Sequence, residues 1–208
     1  MSTITAGRFS APHLVALAVL VTLTACATPD VGPSGFLGSY DELRASDETG
    51  AVRVSVSSAD VLGRYTTIMI DEPTMVEARL SDSEALAIRN ALAAALQSEL
   101  ARDRQIVTSP SADTLRVRYA IVEVETSNVA LNALTTAVFG AVDYGSLALE
   151  AEIVDALTGE RVASMTWARG AKATNVLGAY SPTGNARALA PDFAQRLAVL
   201  ISPHAPGS

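Results

Sequence analysis

The chain has 208 residues, of which 49% are apolar and 18% charged. The first 25 have the composition of a removable leader, which leaves 183, enough for one domain with a core but too few for two comfortable ones. Without Arg8 of the leader, 14 Lys and Arg face 22 Asp and Glu, so the remaining chain is acidic, has no basic run and argues against nucleic acid as partner. A single cysteine excludes an internal disulfide and a multi-cysteine metal site.

Residues 1–13 contain one charge, Arg8, and Leu14–Leu23 is apolar except for Thr22. Ten residues reach only ~15 Å as a helix, about half the hydrocarbon core, so the run is too short to span a membrane and reads as an export signal, 1–25. Leu23-Thr24-Ala25-Cys26 resembles the lipobox of bacterial lipoproteins. That resemblance implies a diacylglyceryl thioether and palmitate-type acylation at Cys26, cleavage before it, and, because Ala27 rather than aspartate follows, transfer to the outer membrane. Alkylation would also silence a thiol that is otherwise a liability outside the cytoplasm, and two or more acyl chains make release negligible. Ala25-Cys26-Ala27 also fits ordinary small-x-small cleavage, which would release a soluble chain starting at Thr28. Residues 26–34, with two prolines and a glycine in Thr28–Ser34, read as a solvated tether.

Ser34-Gly35-Phe36-Leu37, Tyr40 and Leu43 form the first apolar cluster and read as an anchor that packs the tether's end onto the core of a single domain, 35–202. Ser-Gly-Phe-Leu-x-x-Tyr-x-x-Leu after a lipobox cysteine resembles an uncharacterised Gram-negative lipoprotein family known only as a domain of unknown function. Leu80–Leu100, Ala112-Asp113-Thr114-Leu115 and Val154–Glu160 continue the likeness. The resemblance implies no catalytic residue.

Tyr65–Ile70 is β-branched and aromatic and reads as a strand, interrupted at Pro73 and resumed over Met75–Leu80. Ser81 and Glu84 supply a capping box for a helix running to about Arg102, with Leu86, Ile88, Leu92, Ala93, Leu96 and Leu100 as its buried stripe. Arg89 falls in that arc and must snorkel or meet a carboxylate. Alternation predicts half-buried strands over Leu115–Val124 and 146–153. Asp155–Glu160, with Thr158-Gly159 at its tip, predicts a tight turn into a strand over Arg161–Arg169. A carboxyl-terminal helix presents Ala186, Leu189, Ala190, Phe193, Leu197, Leu200 and Ile201, with Pro191 breaking or kinking it; residues 203–208 read as disordered.

Thr126–Val142 is 17 residues without a charge between two strands. Three readings stand: an internal helix or connection covering the sheet, a subunit interface, or a segment dipping into the membrane.

Nucleophile–base chemistry has little material: His13 lies in the leader, His204 in the tail, Lys172 is the sole lysine, and no Ser-x-x-Lys or phosphate loop is present. Glu123, Glu125, Glu150 and Glu152 lie on neighbouring predicted strands and could pair, but the alternation reads them as solvated. Asp155 and Glu160 read as turn chemistry rather than a calcium loop.

The expectation is an α+β domain: a mainly antiparallel sheet of about five strands with two helices packed on one face. Its order resembles the periplasmic domain of the curli secretion-channel lipoprotein and the amino-terminal domain of TolB, which licenses no function. The expected function is a non-enzymatic module anchored through Cys26 to the inner leaflet of the outer membrane, facing the periplasm, that binds an envelope protein or itself. The alternatives are an accessory lipoprotein holding a lipid or small apolar ligand, and a hydrolase using a carboxylate pair. No catalytic, cofactor or metal residue is named.

Overall fold

The computed structural model describes residues 32–76, 79–135, 145–171 and 176–203; the expected leader 1–25, Cys26, residues 136–142 of the uncharged run, Lys172 and His204 lie outside them.

Three long strands form the spine. β6 (Thr114–Glu125), β7 (Ser146–Asp155) and β8 (Arg161–Gly170) pair antiparallel in sequence. Their inward residues, among them Leu115, Val117, Tyr119, Ile121, Leu147, Leu149, Ile153, Met165 and Trp167, are buried, as period-two alternation requires. Val122 is an extra residue in β6, where the register slips between Ile121 and Glu123. Asp155 builds the hairpin: its Oδ1 accepts from the amides of Leu157 and Thr158 at 2.9 and 2.8 Å, and Gly159 takes φ 74°, a left-handed conformation costly for other residues.

β2 (Val52–Val56) extends the sheet beside β8, and the two-residue β1 (Arg44–Ala45) closes that margin. The other margin is parallel: β3 (Thr67–Ile70) lies along β6 and carries the two-residue β5 (Gln105–Ile106) outside it, while β4 (Thr74–Met75) rejoins β6 beyond Pro73. Among the described residues the sheet therefore has eight strands rather than about five. The surplus consists mainly of short edge pieces, but β2 is a full strand signalled by the alternation of Val52, Val54 and Val56 with Arg53 and Ser55.

Helices α2 (Asp82–Leu100) and α4 (Gly184–Leu200) pack together on the inner face; α1 (Ala59–Leu62) and α3 (Val129–Thr135) are short. The predicted capping box is formed, the Ser81 hydroxyl accepting from the Glu84 amide while the Glu84 carboxylate accepts from the Ser81 amide at 2.9 Å. Ile88, Leu92, Leu96 and Leu100 face the core, but Leu86 is 58% exposed, because it sits at the edge of the stripe's arc, beyond the sheet's cover. Arg89 is half-buried, its Nε shielded and without a hydrogen-bond acceptor. Pro191 lies inside α4, which runs on through it as one helix. At the core's centre Phe193 meets Trp167 edge-on at 5.7 Å and Tyr119 at 6.5 Å. Burial pushes the Tyr119 phenol up to about 12.

Arg104 locks the far end of both layers. Its buried guanidinium donates to the carbonyls of Ile201 at 2.7 Å, Tyr65 at 3.2 Å and Leu62 at 3.4 Å, so a single charge neutralises the carbonyl ends of α1 and α4.

Candidate functional site

The face of the sheet that carries no helix is the chemically distinctive part of the molecule. A face of Arg116, Arg118, Glu150, Glu152 and Thr166 should be solvated by its periodicity, yet Glu150 is 3% and Glu152 8% exposed. What covers them is the Ser34–Leu43 segment.

Glu150 is the first hub. Its Oε2 accepts from the hydroxyls of Ser34 and Tyr40, both at 2.7 Å, and its Oε1 from the Ser34 amide at 3.2 Å. The Tyr40 oxygen in turn accepts the Gly35 amide at 2.9 Å, and Ser34 Oγ accepts the Phe36 amide at 3.1 Å. Gly35 and Gly38 take φ 88° and 71°, which lets the segment turn twice within a few residues. Glu152 is the second hub, an ionic one. It receives Arg118 Nη1 at 2.7 Å on one oxygen, and Arg161 Nε and Nη2 at 2.9 and 2.7 Å on the other. Arg161 continues upward to the carbonyls of Leu37 and Ser39. Phe36 lies over Ala120, Val122, Ala148 and Ala168, with the Arg118 guanidinium 6.0 Å from its ring centre. Each named position of Ser-Gly-Phe-Leu-x-x-Tyr-x-x-Leu thus has a physical task, with Leu37 and Leu43 buried beneath it.

The four strand glutamates are not a solvated set. Glu150 is buried against the covering segment, Glu152 is buried and paired with Arg118 and Arg161, Glu123 is half-buried, and Glu125 is exposed as the alternation predicts and accepts the Ser146 hydroxyl at 2.8 Å. The Glu150 carboxylate is the segment's docking point, which local periodicity could not reveal because its donors Ser34 and Tyr40 lie more than a hundred residues away, while Glu152 holds Arg161, whose guanidinium reaches the segment's carbonyls. A signal was nonetheless present: small apolar residues, Ala120, Ala148 and Ala168, sit on the supposedly wet face.

Beside the segment is a cavity of about 160 Å³ between Gly32, Pro33 and Tyr40 on one side and Arg53, Val122, Ala148, Glu150, Thr166 and Ala168 on the other. It is smaller than the ~300–1,000 Å³ of most small-molecule sites. Of the uncharged run, the described part forms α3 and the connection leading to it: Asn132 is buried and donates to the Ala179 carbonyl at 2.8 Å, and the Ser127 amide donates to the Pro182 carbonyl at 3.1 Å. Gly145 faces the Glu125 carbonyl so closely that a Cβ would stand 2.3 Å from it. Among the described residues no three His, Cys, Asp or Glu side chains group as a metal ion would need, and no helix is long and apolar enough to cross a membrane.

The fold and this face define a single-sheet α+β domain with helices on one side and an amino-terminal motif strapped across the other. The chain belongs to the DUF3313 family, described as a protein of unknown function, whose model matches residues 32–197, from the strap almost to the end of α4. No curated protein matches it. Among solved structures it is similar to a point variant of the PelC dodecamer from Paraburkholderia phytofirmans (16% identity, 73% of this chain and 94% of that one, TM-score 0.45). It is also similar to a DUF4136 family protein from Bacteroides thetaiotaomicron (10%, 79% and 100%, 0.41) and a DUF330 protein from Xanthomonas campestris (11%, 66% and 85%, 0.41).

Proposed function

We propose that this chain is a lipid-anchored cell-envelope protein. In this reading it is cleaved before Cys26, acylated there, held in the inner leaflet of the outer membrane facing the periplasm, and acts without catalysis as a module that binds a partner protein or assembles with itself. The observation that supports this most is the strap. The segment following the lipobox is fixed to the sheet by Glu150 and Arg161, so Gly32 lies against the domain only six residues after Cys26. Six extended residues span at most ~21 Å, so a lipid at Cys26 would hold the domain close to the bilayer.

Radiolabelled palmitate should enter the wild-type chain and not Cys26→Ser, and the variant should move from membranes to the soluble periplasmic fraction. Unchanged fractionation of Cys26→Ser, or no label in the wild type, defeats the anchor. Crosslinking in intact cells followed by mass spectrometry then identifies the partner; recovery of this chain alone and uncrosslinked at every concentration would defeat the interaction role.

A second reading, an accessory lipoprotein for a small ligand, draws on the cavity at Arg53 and Thr166. Its volume suits a ring-sized molecule rather than a lipid.

A further inference from the structure

The described strands give the domain two unlike ends. At one, β6 begins, the β7–β8 hairpin turns and Arg104 gathers the helix carbonyl ends; this end carries Asp113, Asp155, Glu160, Arg161, Arg102 and Asp103. At the other, β6 ends, β7 begins and β8 ends, and here α3 packs against the 3₁₀ turn Val176–Tyr180. The described residues of these two connections, 126–135 and 176–183, contain no charged side chain. Leu177 is 88% exposed, the most exposed large apolar side chain among the described residues, and Ala130 and Ala133 are exposed near it.

The amino-terminal segment leaves the sheet at this same end. Going back from Leu37, held near Arg161, the chain reaches Gly32 and Pro33 beside Gly50, Ala51, Val122 and Ala168. Two connections without charge over their described residues, tipped by Leu177 and flanked by the exposed Glu125 and Arg187, therefore share one end of the domain with the exit toward Cys26. We propose that this end, with Leu177 at its tip, rests on a lipid bilayer surface; the inference depends on the anchor at Cys26 proposed above. The length of chain outside the described residues selects a lipid surface over other occupants: a bilayer ~21 Å or less from Gly32 is already present, and insertion of a single apolar tip needs no further partner. The neighbouring turn keeps Asp47 paired with Arg169 at 2.7 Å but leaves Glu48 exposed, so zwitterionic headgroups suit this end better than anionic ones. The hairpin end then points away from the membrane.

The test uses the full-length lipidated protein in phosphatidylethanolamine–phosphatidylcholine vesicles, with a nitroxide on Leu177→Cys or, at the opposite end, on Leu157→Cys, also a strongly exposed site. The Cys26 sulfur is blocked by its lipid, so each variant has one free thiol. Relative to a nickel chelate, oxygen should reach position 177 severalfold better on vesicles than position 157. Equal, aqueous accessibility at both positions overturns the proposal. So does spin–spin broadening at 177 that grows with the protein-to-lipid ratio, which would assign the surface to a second copy. The intact mass of the same samples reports acylation at Cys26 separately, so a missing anchor is distinguished from an anchored domain whose tip stays wet.

Discussion

The two faces of the sheet are covered in opposite ways. The inner face is sealed by α2 and α4 with Leu, Ile and Phe packed over Tyr119 and Trp167, and the area they withdraw from water stabilises them without regard to direction. The outer face is covered by about ten residues whose apolar content is Phe36, Leu37 and Leu43, and whose placement depends on the buried Glu150 carboxylate and on Arg161, itself held by Glu152. The inner cover is held by area and the outer by directed hydrogen bonds. The first tolerates loss of one polar contact; the second does not.

The sharpest way to separate them is Phe193→Ala, which removes the ring joining Trp167 and Tyr119 and should cost about 3–5 kcal/mol in urea-midpoint measurements. Glu152→Ala leaves Arg118 and Arg161 facing each other without their carboxylate. Because both guanidiniums retain some solvent, the expected loss is about 1–3 kcal/mol, and it should be smaller again in an Arg161→Ala background. Tyr40→Phe removes one hydroxyl from Glu150 and should cost about 1 kcal/mol. Its clearest signature is faster proteolysis within residues 32–43 with the main unfolding midpoint nearly unmoved; a fully cooperative loss would show instead that both covers fold as one unit.

The smallest effect is a pH dependence confined to the hairpin end. The amide of Thr158 holds the Asp155 carboxyl below the usual carboxylate range, against the opposing effect of burial and with the Leu157 amide assisting. A lowered acid contributes stability that is present above its unfolded pKa and fades as pH falls through the folded one, so acidification below about pH 4 should weaken the wild type more than Asp155→Asn. At the other extreme the Tyr119 phenol should resist ionisation until about pH 12, readable as delayed phenolate absorbance.

Much of the inner architecture was legible: alternation marks β6, β7 and β8, and Ser81 with Glu84 marks the start of α2. At the other margin β3 was legible as the β-branched run Tyr65–Ile70, but its parallel pairing and the outermost β5 were not, because a strand of two residues shows no period. Leu86 shows the limit of a helical stripe, which predicts an arc but not how far the opposing sheet extends. For the outer face, Ser34, Phe36, Leu37 and Tyr40 could be read as an anchor from their clustering. Their acceptor could not, because Glu150 resembles any wet strand position until a distant segment lands on it.

The sheet's order ends in β1 on one margin and β5 on the other, two residues apiece. Anchored as proposed above, the chain would meet its copies constantly in the plane of a bilayer, the circumstance in which open ladders recruit one another into fibrils. Stubs this brief offer almost no backbone to template such growth. Assembly, where it occurs, is thereby left to side chains, which can choose their partner and stop.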